Sequence, residues 1–276
     1  MNNEKNVYEK YEELRAKQWI SNNALKVEKV HAKGKYTAQE RLEMLFDDGR
    51  YTMTNPWARN SCVHFDMYKK DADNEGVITA IGEVDGRRVC AFSHDAFVYG
   101  GSGGEGQLVK VVRLINEAIK IGVPLVSLND ASGARVQEGV AGLNAYCSQF
   151  GATTVASGWI PHISVILGAA AGGTAYAAAL TDFIIMVNPI SKMFITGPSV
   201  IKAVTGEDVT FDDLGGCAVH GQVTGTTHFV VNSEDEAMEL SRRLLSFLPS
   251  NSGENPPIYA CDDPADRSTE ELRNII

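Results

Sequence analysis

The sequence lacks the signs of a nucleic-acid-binding or membrane-spanning protein. Its 276 residues carry 25 Lys and Arg against 35 Asp and Glu, for a formal net charge of −10. A nucleic-acid surface needs clustered cations to displace counterions, so this balance disfavours that class of partner. No uninterrupted apolar run reaches the about 20 residues of a membrane-spanning helix, and the polar first residues do not resemble a signal peptide. We therefore expect a cytoplasmic protein without a membrane segment.

Paired cysteines are also missing, and with them a disulfide framework or a zinc motif. The five cysteines are widely dispersed, with no Cys-x-x-Cys pair and no histidine at zinc-finger spacing. We expect them to be small buried residues in a reducing compartment, and we expect no metal in this chain. They are Cys62, Cys90, Cys147, Cys217 and Cys261.

The order of elements indicates an α/β protein. Residues 4–30 read as an amphipathic helix, and a Thr-x-x-Glu capping box at Thr37 opens another helix. Two β-rich runs joined by Asp85-Gly86 form a strong hairpin signal. From residue 107 onward, helices alternate with short buried strands, which predicts βαβ units and a largely parallel sheet. We divide the chain into an N-terminal helical segment (1–50), a main domain (51–250) and a tail or linker (251–276).

Two turns stand out where ligands gather, at the carboxyl ends of parallel strands. One follows the strand at 124–128 and the other follows the strand at 162–167, and both contain only small residues before a helix. Such turns let the backbone approach a ligand and direct amide N–H groups at developing negative charge. Two amides from different turns would make an oxyanion hole. The candidates are the amide of Ala134 and that of either Gly172 or Gly173.

Side-chain catalysts, in contrast, are scarce. No Gly-x-Ser-x-Gly motif and no Ser-His-Asp set occurs, and Ser132 has no obvious local base. Asp130 and Glu138 flank the first turn as acid or base candidates, although capping or packing explains them as well. The glycine-rich run Gly100–Gly106 lacks the Gly-Lys-Ser/Thr of a phosphate loop. A site built from backbone donors suits a substrate whose partner cofactor brings its own base.

Motifs along most of the chain resemble the N-terminal half of the carboxyltransferase subunits of biotin-dependent acyl-CoA carboxylases, transcarboxylases and sodium-pumping decarboxylases. The density and order of these motifs make the resemblance far more specific than any single glycine-rich turn. The matching stretches are Gly34–Leu42, Phe92–Asp95, Gly100–Ser102, Leu128–Gly139, Gly172–Tyr176, Leu180–Phe183, Phe194–Pro198, Val204–Asp208 and Leu214–Gly216.

The resemblance implies a crotonase-type α/β fold of stacked units with mixed or parallel sheets. It also implies that this half binds the acyl-CoA thioester, and that biotin arrives on a partner, the biotin carboxyl carrier protein. Carboxyl transfer then passes through a thioester enolate held by backbone amides, with Ala134, Gly172 and Gly173 as the catalytic positions. The substrate-binding positions implied by the resemblance are Ser132, Gly133, Arg135, Val136, Phe194, Thr196, Gly197 and Pro198, with Arg135 as the first candidate for the CoA phosphates.

Length is where the chain departs from this family, whose subunits are nearly twice as long and form large oligomers. The resemblance therefore implies a C-terminal-half partner, whether the chain is a natural subunit or a piece of a longer one. Several alternatives stay open at the level of sequence: a decarboxylase running the same enolate chemistry in reverse, a crotonase-like enzyme that needs no biotin, and a CoA-binding scaffold. The identity of the acyl group is open as well.

Overall fold

A mixed β-sheet forms the centre of the computed structural model, which describes residues 6–17, 24–70 and 73–275. Within these ranges eight strands follow the order β1-β2-β3-β4-β5-β6-β8, and β7 pairs with the end of β5. The first three strands are antiparallel to one another, and the pairs from β3 onward are parallel. The strands are β1 (Tyr51–Thr54), β2 (Val77–Val84), β3 (Arg87–His94), β4 (Leu125–Ala131), β5 (His162–Ala171), β6 (Phe183–Val187), β7 (Lys192–Phe194) and β8 (Phe229–Val231).

Helices cover both faces of this sheet. The predicted helix over residues 4–30 corresponds to α1 and α2, and its residues 18–23 lie outside the described ranges. Thr37 and Glu40 make the expected capping box at the start of α3. The helices are α1 (Val7–Lys17), α2 (Ala24–His31), α3 (Ala38–Leu45), α4 (Glu105–Ile121), α5 (Val140–Ala156), α6 (Gly173–Ala179), α7 (Pro198–Thr205), α8 (Phe211–Gly215) and α9 (Glu234–Phe247).

The predicted hairpin and parallel units are present. Strands β2 and β3 pair antiparallel around Asp85 (φ 52°) and Gly86 (φ 73°), a turn that suits the twist of a hairpin. Strands β4 and β5 are longer than predicted, because both run on into small residues that the hydrophobic pattern does not mark as strand. The extra length brings the two predicted turns to the same edge of the sheet.

Two apolar layers sandwich the sheet. On one face α3 and α9 pack over residues of five strands, with Leu42, Val126 and Val165 fully buried. On the other face α4 and α5 cover the alternate side chains, including Phe92 and Leu125. Alternation along β4 sends Leu125 to one layer and Val126 to the other, as expected for a strand that is buried on both faces.

The cysteine prediction holds for two of the five residues. Cys90 and Cys217 are buried, Cys62 is intermediate, and Cys147 and Cys261 are exposed. None of the helices in the described ranges combines the length and the apolar character needed to cross a bilayer.

Candidate functional site

Two turns meet at the carboxyl edge of the parallel strands. The β4 turn (residues 132–136) follows β4, and the β5 turn (residues 172–173) follows β5. They lie close together, since a Cβ on Gly133 would be 3.1 Å from the carbonyl oxygen of Ala171. The structure therefore brings together the two turns that were singled out from the sequence.

The N–H of Ala134 points away from Gly103, the residue whose main chain lies beside it. The Gly103 amide donates to the carbonyl of Gly133, and the Arg135 amide donates to the carbonyl of Gly103, each at 2.8 Å. Ala134 lies between these two bonds, so its own N–H points to the opposite side, where β5 lies. No acceptor for this N–H occurs in the described part of the chain.

The two glycines of the β5 turn differ in what their amides do. The Gly172 amide donates to the carbonyl of Phe194 at 3.0 Å, and its φ of 51° places it in a conformation that favours glycine. Gly173 is the first residue of α6, where helix geometry leaves the amide without an intrahelical acceptor. Within the described ranges the Gly173 N–H has no other acceptor. Of the two alternatives, Gly173 has the available donor.

One aromatic ring packs beside both turns, against Ala134 of the β4 turn and Gly173 of the β5 turn. Tyr146 of α5 is only 4% exposed, and its hydroxyl lies 3.2 Å from Oγ1 of Thr174. A Cβ on Gly103 would approach that hydroxyl to 2.5 Å, and a Cβ on Gly173 would lie 2.6 Å from the ring. Burial raises the pKa of Tyr146, which keeps the phenol neutral. Neither Gly103 nor Gly173 therefore has room for a side chain beside the ring.

Arg135 is buried beneath the β4 turn, with 2% of its surface exposed. Nη1 donates to carboxylate oxygens of Glu75 and Glu138, each at 2.7 Å. Nη2 donates to the carbonyls of Ser102 at 3.0 Å and Glu75 at 3.4 Å, and Nε donates to the Ser102 hydroxyl at 3.5 Å. The ring of Tyr99 stacks 4.3 Å from the guanidinium carbon. All five N–H groups have partners inside the protein, so contact with a CoA phosphate would require losing one.

The carboxylate that Arg135 neutralises is itself inaccessible to solvent. Burial raises the pKa of Glu75, and the Arg135 guanidinium opposes that effect. Nearby, the buried Lys110 ammonium donates to the carbonyls of Asn74 and Val77 at 2.9 and 2.6 Å, and burial lowers the pKa of Lys110 to about 7. The β4 turn therefore rests on a buried layer of charged side chains.

Close packing against the β4 turn explains the glycine-rich run Gly100–Gly106. A Cβ on Gly101 would overlap the carbonyl of Asp130, and one on Gly104 would overlap the Glu138 carboxylate and the Arg135 guanidinium. Gly103, between them, lies against the Tyr146 ring as described above. The main chain of the run packs directly beneath the turn. This packing explains its glycines, so no bound phosphate is needed to account for them.

Both carboxylates that flank the β4 turn are engaged in ion pairs. Asp130 pairs with Lys35 and Arg41. Besides Arg135, Glu138 accepts the backbone N–H of Glu105 at 2.6 Å, at the start of α4. Capping and packing thus account for both, as the sequence allowed. In the described ranges no group of three His, Cys, Asp or Glu residues could hold a metal ion.

Ser132 and Val136 are the exposed side chains of the β4 turn. The Ser132 amide donates to the carbonyl of Gly100 at 3.1 Å, and no partner for its hydroxyl occurs in the described part of the chain. Val136 is 80% exposed. Both therefore face outward at the mouth of the two turns.

The remaining predicted binding residues lie beside the β5 turn. Phe194 ends β7 and holds the Gly172 amide through its carbonyl. Thr196 is half-buried, Gly197 caps α7, and Pro198 is the first residue of that helix. This segment borders the site on the side away from the β4 turn.

A family model described as carboxyl transferase domain matches residues 29–276. The chain is 48% identical over 251 residues to the methylmalonyl-CoA decarboxylase subunit alpha of Veillonella parvula, which covers 91% of this chain and 49% of that protein. It is 50% identical over 233 residues to the propionyl-CoA carboxylase beta chain of Saccharopolyspora erythraea, covering 84% of this chain and 43% of that protein. The chain thus spans about half the length of these curated relatives.

Solved structures agree in fold. A structure of transcarboxylase 12S, in a hexamer assembly with hydrolysed methylmalonyl-coenzyme A bound, matches with a TM-score of 0.90 at 40% identity. That match covers 100% of this chain and 55% of the other. The beta subunit of geranyl-CoA carboxylase from P. aeruginosa matches with a TM-score of 0.72 at 26% identity, over 87% of this chain and 44% of the other. The crotonase-type α/β fold predicted from the sequence is confirmed.

Proposed function

The chain belongs to the carboxyl transferase domain family, and on that premise we propose that it is the acyl-CoA-binding half of a biotin-dependent carboxyltransferase. One observation carries the proposal. Two amides without acceptors in the described chain, those of Ala134 and Gly173, stand on adjacent turns, and both residues pack against Tyr146 or its cluster. Such a pair suits an oxygen that gains negative charge during the reaction.

The two amides would bind the thioester carbonyl oxygen of the substrate. As the α-proton leaves, charge moves onto that oxygen, and both N–H groups then donate to an enolate. Donors that are already oriented need no reorganisation at that moment, and one donor of this kind typically contributes about 3 kcal/mol to transition-state stabilisation. The chain's contribution is therefore to hold the substrate oxygen and the enolate, and to keep the reacting carbon in place.

The base would come from outside this chain. Asp130 and Glu138, the carboxylates nearest the β4 turn, are both paired with buried cations. Their oxygens are occupied by these cations, and Glu138 also accepts the Glu105 amide, so neither carboxylate is free to reach a substrate proton. Biotin on the carrier protein supplies the base and the carboxyl group when it is bound. This disfavours a stand-alone crotonase-like enzyme, which would need a free side-chain base.

The direction of the reaction has two candidates. Relatives named as a carboxylase and as a decarboxylase are similarly close, at 50% and 48% identity. Both directions pass through the same enolate and would use the same two amides. The proposal therefore covers carboxyl transfer to or from a short acyl-CoA of the propionyl, acetyl or methylmalonyl type. A CoA-binding scaffold without catalysis would have no use for the two available donors.

Partners are expected on the open side of the site. Three apolar side chains are exposed there, Val136 and Val140 at 80% each and Leu143 at 58%. An apolar patch beside a site suits a protein interface. We propose that a C-terminal-half carboxyltransferase subunit covers it, that a biotin carboxyl carrier protein docks there, and that the complex is oligomeric. The domain limits at residues 50 and 250 and the cytoplasmic location stay predictions.

Titration calorimetry of the purified chain tests the proposal directly. We expect acetyl-, propionyl- or methylmalonyl-CoA to bind more tightly than free CoA, because only a thioester offers the carbonyl oxygen to the two amides. The acyl-CoA with the largest advantage indicates the substrate class. Equal affinity for free CoA and every thioester would contradict the assignment of the thioester site to this chain.

Replacing Ser132 by alanine separates backbone from side-chain catalysis. Its hydroxyl has no partner in the described chain, and the proposed chemistry does not use it. We expect Ser132→Ala to retain the steady-state rate of the assembled carboxyltransferase within about twofold, within the range typical of surface changes. A loss of several orders of magnitude would indicate nucleophilic catalysis by this serine.

A further inference from the structure

The spacing of the two turns depends on an irregularity in the sheet. Strands β4 and β5 pair in regular parallel register up to Asn129 opposite Ile166, and the next pair is Ala131 opposite Ala170. Strand β4 advances by two residues over this interval and β5 by four. Strand β5 therefore bulges at residues 167–169, immediately before the β5 turn. A bulge redirects the strand that follows it, so its shape sets where the Gly173 amide lies.

A buried guanidinium joins the two strands at this bulge. Arg41 of α3, which is 1% exposed, donates from Nη2 to the carbonyl of Leu167 at 3.0 Å. Its Nη1 lies 3.3 Å from Oδ2 of Asp130, one residue before the end of β4. The same Asp130 oxygen also accepts from the Lys35 ammonium. One side chain thus contacts both strands where their register changes.

The bulge is shaped to receive the Asp130 carboxylate. A Cβ on Gly168 would overlap that carboxylate and would lie 2.5 Å from the Lys35 ammonium nitrogen. The carboxylate therefore lies directly over the main chain of the bulge, at a residue without a side chain. The fit couples the end of β4 to the bulge in β5.

A second carboxylate balances the charge. Glu234, the first residue of α9, accepts from Nε and Nη2 of Arg41 at 2.7 and 2.8 Å. With Lys35 and Asp130, this makes two cations and two anions, all buried or nearly so. Burying charges costs desolvation energy that apolar residues would not incur, so such a network is weak evidence for stability. Its location at a register change favours a role in fixing geometry.

We propose that Asp130, held by Arg41 and Lys35, is a positioning residue that fixes the bulge and thereby the separation of the Ala134 and Gly173 amides. This inference rests on the proposed function, because those amides matter as a pair only if they share one substrate oxygen. Asp130 itself precedes the turn and is engaged by Arg41 and Lys35, and the proposed chemistry assigns it no contact with the substrate or the base. Its effect on chemistry passes through the main chain.

A matched pair of ligands isolates this effect from ordinary stability. Propionyl-CoA and its thioether counterpart S-propyl-CoA differ only in the carbonyl oxygen. In the wild-type chain we expect propionyl-CoA to bind on the order of tenfold more tightly, as two modest hydrogen bonds would give. Asp130→Asn places an amide where a carboxylate accepts from two cations. The measured ratio is the dissociation constant of S-propyl-CoA divided by that of propionyl-CoA. We expect Asp130→Asn to bring this ratio to within about twofold of one, since misplaced donors lose most of their hydrogen-bond strength.

The control is a similar arginine at the far end of the same helices. Arg242 of α9 donates to the carbonyl of Leu45 at 2.8 Å and pairs with Asp47 and Asp85 at 2.7 and 2.6 Å. Arg242→Lys removes a guanidinium that makes a comparable set of hydrogen bonds. Because Arg242 lies away from the bulge, we expect this variant to keep the wild-type ratio. If Asp130→Asn does not fold, Lys35→Met removes one of its two cations from a more exposed position and is expected to lower the ratio in the same direction.

The possible outcomes separate the inference from the proposed function. A ratio near one in the wild-type chain would remove the thioester site, and the inference with it. A wild-type ratio that Asp130→Asn retains would overturn the positioning role while leaving the thioester site in place. An equal loss in Arg242→Lys would show that the ratio follows general stability, and would also overturn the positioning role. We expect the ratio to fall in the Asp130 or Lys35 variant and to stay at the wild-type value in Arg242→Lys. We also expect the affinity for S-propyl-CoA to be unchanged in all of them.

Discussion

Ala134→Pro is expected to reduce turnover of the assembled carboxyltransferase by about 100- to 1,000-fold, the usual cost of deleting one oxyanion donor. Proline removes the N–H and places ring carbon where the substrate oxygen would lie. The cost to folding should be small, because this N–H has no acceptor in the described part of the chain. Proline also restricts the residue before it, but Gly133 has no Cβ and escapes most of that clash.

The measurement is kcat for the acyl-CoA that binds best, with the partner half and the biotinylated carrier present. Ala134→Ser is the matched control, since it changes the side chain and keeps the amide. We expect the serine variant to stay within about threefold of wild type, as typical mild substitutions do. If both variants lose activity equally, the loss comes from the shape of the turn. A proline variant with normal turnover would remove Ala134 from the oxyanion hole.

Arg135→Gln is expected to lower the free energy of unfolding by about 3–5 kcal/mol at neutral pH, the usual cost of leaving a buried charge unpaired. The change removes the partner of the Glu75 carboxylate, which is 0% exposed. Among the described residues, Lys110 would then act on that carboxylate only through longer-range attraction. Affinity for free CoA should be unchanged in the folded variant, because the arginine N–H groups are all used inside the protein. A large loss of CoA affinity without loss of stability would instead support the phosphate-binding role implied by the family resemblance.

This destabilisation should depend on pH in a defined direction. Burial raises the pKa of Glu75 above the 4.5 of an exposed glutamate, and losing the Arg135 charge raises it further. The folded state then holds a proton more tightly than the unfolded state, so stability falls as pH rises from 4.5 through the folded pKa. Urea unfolding at about pH 5 and about pH 7.5 should show the variant recovering part of its loss at the lower pH.

A double variant checks the cause. In Arg135→Gln with Glu75→Gln, the buried Glu75 charge is gone and Glu138 stays as the one carboxylate that has lost Arg135. We therefore expect a smaller loss at neutral pH than in the single arginine variant, and a weaker dependence on pH. If the double variant is as unstable as the single one, the loss arises from the ion pair with Glu138 or from packing against Tyr99. In that case Glu75 is not the source.

Patterns of neighbouring residues in the sequence predict most of the helices, strands and turns. The Asp85-Gly86 pair fixes its hairpin, and Thr37 with Glu40 fixes the start of α3, because both depend on neighbours in the chain. The two turns were found the same way, since small residues after a buried strand mark them. The ends of β4 and β5 were placed too early, because alanine and glycine carry no hydrophobic pattern there.

The features that could not be predicted depend on contacts between residues far apart in the chain. The sequence could not choose between Gly172 and Gly173, because the choice depends on β7 pairing with the end of β5. The role of Arg135 was also hidden. An arginine in a small-residue turn suggests an anion site, and the carboxylate that occupies it lies 60 residues away in the chain. Tyr146 gave no local signal at all, although the glycines around it imply a bulky neighbour.

The close packing of the glycine-rich run Gly100–Gly106 limits how this site can be engineered to accept other acyl groups. Gly101, Gly103 and Gly104 are each held by a different neighbour, so no one compensating change can relieve all three. In a saturation library, Gly101, Gly103 and Gly104 should therefore each reject substitution independently and rarely be rescued. Directed evolution should leave these three glycines fixed and place its diversity at the exposed Ser132 and Val136 and in the partly exposed segment 194–198.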